Sequence, residues 1–316
     1  MNPLRQFSGL AAVQLPGVPV HLAIGMFDGV HLGHRAVIEP VVQAARASGG
    51  LAAVLTFWPH PSVLFSPQKP TRLIMPRDAK ARVMERLGVD VMITEEFTPD
   101  FARIRAEDFL PWLRQHVPQL AALYVGDNWR FGCGRSGDSK FLQREAAAAG
   151  LKAASVPQVS AAGSPVSSTR IRHLLVEGKI GEANALLGDT YFAEGLIAPG
   201  KGLGRQIGFP TLNVAWLPEL TPRFGVYAVR LGKPRGEMSR SGVANYGVRP
   251  TVEQTLEPRL EVHVLGDCPF AAGDSVRVEW RHFLRPETKF ENVDALRRQI
   301  AQDRQTAVEW FAHSPA

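Results

Sequence analysis

Residues 18–47 constrain the fold more than any other stretch. Val18-Pro19-Val20-His21-Leu22-Ala23-Ile24 is a short apolar run that stops at Gly25, and from His34 to Ala47 apolar residues recur at helical spacing until Ser48-Gly49-Gly50 ends them. An apolar run, a glycine-punctuated turn and an amphipathic stretch make a strand–turn–helix unit. The alternation continues. Leu51–Phe57, Val89–Thr94 and Ala121–Val125 read as strands, and Ala79–Leu87, Ala106–His116 and Ser139–Ala149 read as helices, with Gly88 and Gly150 as stops. Strands separated by helices predict a parallel sheet covered on both faces.

The texture changes near residue 188. From Ala193 to Glu279 the segments are short and alternating, with frequent Gly and Pro; Gly225–Arg230 and Leu260–Val264 are examples. This reads as an antiparallel barrel or sandwich. Asn292–Phe311 reads as a terminal helix, with Val293, Leu296, Ile300, Ala307, Val308 and Phe311 mostly at three-to-four spacing. A boundary at Leu187-Gly188-Asp189 gives domains 1–187 and 188–316. The 316 residues fit two domains, at roughly 100–200 residues each.

Lys and Arg number 36 against 30 Asp and Glu, a formal net charge of +6, and the sequence pI is near 9.6. That balance favours anionic partners such as nucleotides and phosphates. The charges are dispersed without a long Lys/Arg run, which argues against nucleic acid as the partner. Cys133 and Cys268 stand alone, far from any disulfide or zinc pattern. Residues 1–20 lack the continuous apolar core of a signal peptide, and no stretch reaches the apolar length of a membrane span. A cytoplasmic protein without a membrane partner is the expectation; the oligomeric state is left open.

The chemistry concentrates in Gly25-Met26-Phe27-Asp28-Gly29-Val30-His31-Leu32-Gly33-His34. A turn between a strand and a helix is where backbone N–H groups and the helix dipole receive anions. Gly25, Gly29 and Gly33 let phosphate oxygens approach, and His31 and His34, three apart, share a face of the first helical turn. Two imidazoles there can donate to a triphosphate as charge builds in nucleotidyl transfer. Metal ligation, or service as surface or capping residues, are the alternatives for the pair.

The ten-residue string resembles the signature of bacterial bifunctional riboflavin kinase/FMN adenylyltransferases. Thr56-Phe57-Trp58-Pro59-His60-Pro61 is similar to that family's loop after the second strand, and the resemblance puts Pro59, His60 and Pro61 beside FMN. Trp58 either stacks on the flavin or caps the core. Val125-Gly126-Asp127-Asn128-Trp129-Arg130-Phe131-Gly132 resembles the segment after the fourth strand, where Asn128 supports a nucleotide or flavin phosphate or is only part of a turn. Gly132–Gly137 follows as a flexible loop. Ser167-Ser168-Thr169-Arg170-Ile171-Arg172 looks like the family's Ser-Ser-Thr-x-Ile-Arg. It implies phosphate binding by Ser168, Thr169 and Arg172 at a helix start. Phe27 and Asp28 join this adenylyltransferase set through the signature.

Gly200-Lys201-Gly202-Leu203-Gly204-Arg205-Gln206-Ile207-Gly208-Phe209-Pro210-Thr211-Leu212-Asn213 contains neither a Walker A loop nor a Rossmann fingerprint. It resembles the riboflavin kinase module. The resemblance implies an ATP loop of Gly202, Gly204, Arg205, Gly208 and Pro210, with Thr211 and Asn213 as oxygen ligands of Mg2+. Leu212 replaces a commoner Ala and is expected to point away from the ligand. Arg259-Leu260-Glu261-Val262-His263 looks like the segment carrying the general base, which makes Glu261 catalytic with His31 and His34. Asn245–Thr251 reads as structural support. Residues 265–273 lack the family's Tyr-Gly pair, and Phe283–Phe290 returns to its pattern, leading into a helix that borders the flavin pocket.

The resemblance thus implies a Rossmann-like nucleotidyltransferase domain followed by an antiparallel riboflavin kinase barrel with a terminal helix. Together they make FMN from riboflavin and FAD from FMN, using ATP in both steps. Three other readings stay open: loss of the kinase activity alone, a nucleotidyltransferase for another phosphate ester, and a non-enzymatic binding protein.

Overall fold

The computed structural model describes residues 3–200, 203–236, 238–248 and 258–314. It divides into two compact units, Met1–Ser168 and Thr169–Ala316.

The first unit opens with β1 (Arg5–Ser8) and a 3-10 turn, then β2 (Val20–Ile24), α1 (Leu32–Ser48) and β3 (Leu51–Trp58). Next come α2 (Ser62–Phe65), α3 (Arg77–Arg86), β4 (Val91–Glu96), α4 (Pro99–Ala102), α5 (Ala106–His116) and β5 (Leu120–Gly126). The short β6 (Arg130–Phe131) and β7 (Gly137–Asp138) precede α6 (Ser139–Ala148), β8 (Lys152–Val156), β9 (Ser160–Ala161) and β10 (Ser164–Pro165). Six strands form one sheet in the order β1-β4-β3-β2-β5-β8. All of its pairings are parallel. The central strand β2 is buried along its whole length, as a strand covered on both faces must be. The chain leaves β2 toward β3 on one side and receives β5 on the other, so the carboxyl end of β2 is a topological switch point, where α/β sheets open a crevice.

The strands and helices read from the sequence appear within a few residues of their expected ends. The two outermost strands, β1 and β8, were not legible: their half-exposed residues carry no continuous apolar run. Residues 132–137, expected as a flexible loop, form instead the 3-10 turn of a small hairpin pairing β6 with β7, in which Gly137 lies under the Phe131 ring.

The second unit holds α7 (Ser168–Glu177, its first residue at the division), α8 (Ile180–Leu187), β11 (Phe192–Ala198), α9 (Leu203–Gln206), β12 (Leu212–Val214) and β13 (Gly225–Gly232). β14 (Met238–Gly247), β15 (Arg259–Val264), β16 (Ser275–Pro286) and α10 (Val293–His313) complete it. The strands close a barrel in the order β11-β12-β15-β14-β13-β16, with antiparallel pairing that settles the barrel-or-sandwich alternative. Tyr227, Tyr246 and Trp280 are fully buried inside it. A barrel of this size is filled by side chains and has no pore. Desolvation raises the Tyr246 phenol to about 12 and pushes Tyr227 higher.

The terminal helix α10 packs Ala307 on Val226, Ala228 and Val243 of the barrel's outer face. Its register is held by Asp303, whose carboxylate takes two 2.8 Å hydrogen bonds from Arg285 and one of 2.9 Å from Gln299.

Candidate functional sites

In the first unit the Gly25–His34 segment turns from β2 into α1 at the switch point. His31 is the N-cap of α1: its Nδ1 accepts the backbone N–H of His34 at 3.3 Å. A neutral His31 therefore carries its proton on Nε2, as a donor. The His31 and His34 rings stack at 3.6 Å between centroids, 16° from parallel. Capping and catalysis are compatible roles for this pair. Stacked parallel rings do not converge on a shared point as chelating ligands would. Among the described residues no group of three or more His, Cys, Asp or Glu could hold a metal ion.

The turn is held in unusual backbone geometry. Phe27 and Val30 adopt φ of 48° and 40°, a region that L-residues avoid and β-branched ones avoid most. Such conformations persist where the surroundings over-determine them, and they concentrate at ligand-binding sites. Gly33 also lies tight against the His31 side chain. A Cβ there would meet the His31 ring at 3.1 Å, so the glycine makes room for the imidazole. Phe27 packs edge-on against His34 at 5.3 Å.

Asp28 is buried, and its carboxylate accepts the Ile74 N–H at 3.0 and 3.1 Å. Its backbone carbonyl accepts the Ser168 hydroxyl at 2.9 Å. Asp28 and Ser168, both expected in the ATP/FMN-binding set, tie the turn to residues on either side. Thr169 and Arg172 lie on α7 in the second unit, Thr169 exposed and Arg172 half-buried.

Two further loops lie at the carboxyl ends of neighbouring strands. After β3, His60 Nδ1 accepts the Ser62 N–H at 3.1 Å, and Ser62 Oγ accepts the Thr71 N–H at 2.7 Å. Trp58 is 44% exposed with the Arg77 guanidinium 5.2 Å from its ring, so it does not cap the core. After β5, Gly126–Trp129 is a tight turn closed by a 2.9 Å bond from the Trp129 N–H to the Gly126 carbonyl. The turn leaves Asn128 exposed.

In the second unit the site is built by register. Asn213 of β12 and Asn245 of β14 both pair with Glu261 of β15. Directly opposed residues of antiparallel strands share a face. The intervening Leu260, Val262 and Val264 are buried, so the Asn213–Glu261–Asn245 row lies on the outer side, where α10 also packs. Leu212 pairs with Val262 on the inward row, the face opposite that of Asn213. Gly204 lies so close to the Phe209 carbonyl and Thr211 Oγ1 that a Cβ could not be inserted, which folds the α9 turn down onto Thr211.

His263 Nδ1 lies 2.8 Å from the Pro210 carbonyl, linking this loop to the strand of Glu261. Burial holds the His263 pKa below the ordinary imidazole value, and the nearby Arg304 charge adds to that, against the Pro210 hydrogen bond. Arg304 of α10 sits 5.8 Å from the Phe209 ring. A cavity of about 840 Å³, lined by Ala198, Pro199, Gly200, Asn213, Trp216 and Arg259 among others, opens beside Asn213. Arg205, Gly208 and Pro210 belong to the same loop, whereas Gly202 and residues 249–251 lie outside the described residues.

Sequence reasoning assigned no role to Lys80 or His263, and read Asn245 only as structural support. For Lys80 a signal exists: it stands at an apolar position of the stripe Lys80, Val83, Met84, Leu87. For Asn245 the signal is strand pairing, which no local pattern carries.

A nucleotide-ready turn on a parallel sheet and a separate barrel bearing a hydroxyl–amide–carboxylate set define a two-domain nucleotide-dependent transferase. The FAD synthetase family model matches residues 18–170, and the riboflavin kinase model matches residues 187–311. The chain is 38% identical over 300 residues to the bifunctional riboflavin kinase/FMN adenylyltransferase of Escherichia coli K12, covering 94% of this chain and 95% of that protein. The Listeria monocytogenes enzyme of the same description is 36% identical over 294 residues, 92% of each chain. The chain belongs to the bifunctional riboflavin kinase/FMN adenylyltransferase family.

The solved structure of a Streptococcus pneumoniae protein described as a macrolide-efflux protein superposes with a TM-score of 0.86 at 26% identity. It covers 98% of this chain and 100% of that one. Among the described residues no helix here is long and apolar enough to cross a membrane.

Proposed function

We propose that the barrel unit phosphorylates the ribityl 5′-hydroxyl of riboflavin and that the parallel-sheet unit adenylylates the resulting FMN to FAD, each with ATP. The observation that carries this reading is the presence, on one chain, of two chemically distinct sites: a stacked imidazole pair and an outward carboxylate–amide row. Each suits one of the two reactions. The division of labour is proposed to fall near residues 187–188.

In the kinase site Glu261 takes the proton of the ribityl hydroxyl as it attacks the γ-phosphate. The loop containing Gly202, Gly204, Arg205, Gly208 and Pro210 embraces the nucleotide. Thr211 and Asn213 supply a hydroxyl and an amide oxygen, hard oxygen donors that fit Mg2+. When bound, the ion neutralises phosphate charge.

In the adenylyltransferase site the FMN phosphate attacks the α-phosphate of ATP and pyrophosphate leaves. The nucleophile is already anionic, so the protein's work is positioning and charge stabilisation. His31, through its Nε2 proton, and His34 donate to the triphosphate, and the turn from Gly25 to Gly33 supplies backbone donors. Pro59, His60, Pro61 and Asn128 border FMN, and Ser168, Thr169 and Arg172 bind phosphate; these assignments rest on the resemblance. A cytoplasmic enzyme acting on riboflavin, FMN and ATP, without nucleic acid or membrane partners, is the consistent setting.

Purified protein supplied with riboflavin and Mg2+-ATP tests the reading by chromatography of the products. FMN followed by FAD is expected. FMN without FAD, or FAD only when FMN is supplied, would leave a single activity, and neither product would overturn it.

A further inference from the structure

A buried ammonium lies against the Gly25–His34 turn, and none of the roles above uses it. Lys80 of α3 is 4% exposed. Its Nζ donates to the Met26 carbonyl at 2.8 Å and to Thr56 Oγ1 at 3.3 Å. The Thr56 hydroxyl in turn donates to the same Met26 carbonyl at 2.9 Å. Two donors from two elements, α3 and β3, therefore occupy both acceptor positions of one carbonyl in the turn.

The geometry of the peptide makes this consequential. The Met26–Phe27 unit is planar and trans, so its N–H points opposite to its C=O. Holding the Met26 carbonyl on Lys80 directs the Phe27 N–H away from α3. Phe27 itself sits at φ 48°, a conformation the chain does not keep without external ties, and its ring packs on His34. A second tie comes from the same region, the Asp28 carboxylate on the Ile74 N–H just before α3. Burying an ammonium is costly, and an apolar residue would fill the stripe position more cheaply if packing were the sole requirement.

We propose that Lys80 is a positioning residue for adenylyl transfer. Its ammonium fixes the Met26–Phe27 peptide so that the Phe27 N–H and, through the Phe27 ring, His34 are presented to the triphosphate, with a fixed positive charge behind them. This rests on the reading of the turn as the adenylyl-transfer site.

Full-length Lys80→Met, Lys80→Gln and Thr56→Val variants test it. The measurements are kcat and KM for FAD formation from FMN and ATP, riboflavin phosphorylation as an internal control, and thermal unfolding. Loss of one preorganised donor predicts that Lys80→Met lowers kcat for FAD about 100-fold, that Lys80→Gln, which keeps a donor without the charge, lowers it about 10-fold, and that Thr56→Val lowers it about 5-fold. KM for FMN and the kinase activity stay near wild type, a split that simple loss of packing would not produce. FAD formation in folded Lys80→Met within about threefold of wild type overturns the proposal. If neither Lys80 variant folds, Thr56→Val decides: a folded protein with wild-type kcat overturns it, and a lowered kcat at unchanged KM for FMN supports it. A wild-type chain that makes no FAD from FMN sinks the reading of the site, whatever the variants do.

Discussion

The two units solve one problem, holding a nucleotide triphosphate against a flavin, by opposite routes. In the first, the residues assigned to catalysis, His31 and His34, lie within ten consecutive positions at the end of β2, where the proposed reading adds backbone donors and a helix N-terminus. In the second, the corresponding residues are scattered over β12, β14 and β15, with Arg304 of α10 alongside, and barrel register brings them to one face. A parallel sheet offers a ready crevice at its switch point, so a short motif suffices there. A barrel with a filled interior has no such crevice, so its outer face needs a row of side chains and a covering helix.

The sharpest way to break this comparison is Glu261→Gln. Removing a general base predicts FMN formation from riboflavin about 10³-fold slower, with FAD formation from supplied FMN unaffected, both read by product chromatography. Asp303→Ala leaves Arg285 without its bidentate partner and predicts a loss of about 3 kcal/mol, seen in chemical unfolding of the barrel unit with the parallel-sheet unit unchanged. His31→Ala and His34→Ala each predict about 10²-fold slower FAD formation with normal riboflavin phosphorylation. Gly33→Ala pushes a methyl against the His31 ring and predicts about tenfold slower FAD formation in a protein of near-normal melting temperature.

The smallest effect is on pH. Burial lowers the pKa of His21 in the first unit and of His263 and His282 in the second. A lowered folded-state pKa means that the unfolded chain takes up protons first as pH falls below 6.5, the ordinary imidazole value, so stability declines with acidification. Two such histidines predict the steeper decline for the barrel unit. Glu287 opposes it, since burial raises its carboxyl and favours the folded form toward acid pH. Unfolding midpoints of Glu287→Gln between about pH 7 and pH 5 should therefore show the full difference, and equal slopes for the two units would contradict it.

The legible parts of the molecule were those whose information is local. β2, α1 and the turn between them follow from an apolar run, three glycines and a helical repeat. The edge strands β1 and β8 escaped because a strand buried on fewer sides carries less apolar signal. Lys80 escaped because a helical stripe marks which positions are inward, and an inward lysine makes sense only once its partner carbonyl is known.

By itself the sequence determined the two-part architecture, the family and the residues proposed for each site, because strand–helix alternation, glycine spacing and the two motif strings are properties of neighbouring residues. Tertiary structure alone decided that Asp28 and Ser168 are also ties of the turn and that Asn213, Glu261 and Asn245 share the barrel's outer face. These depend on pairings between segments distant in the chain, and register is set by packing the buried rows of the whole barrel at once.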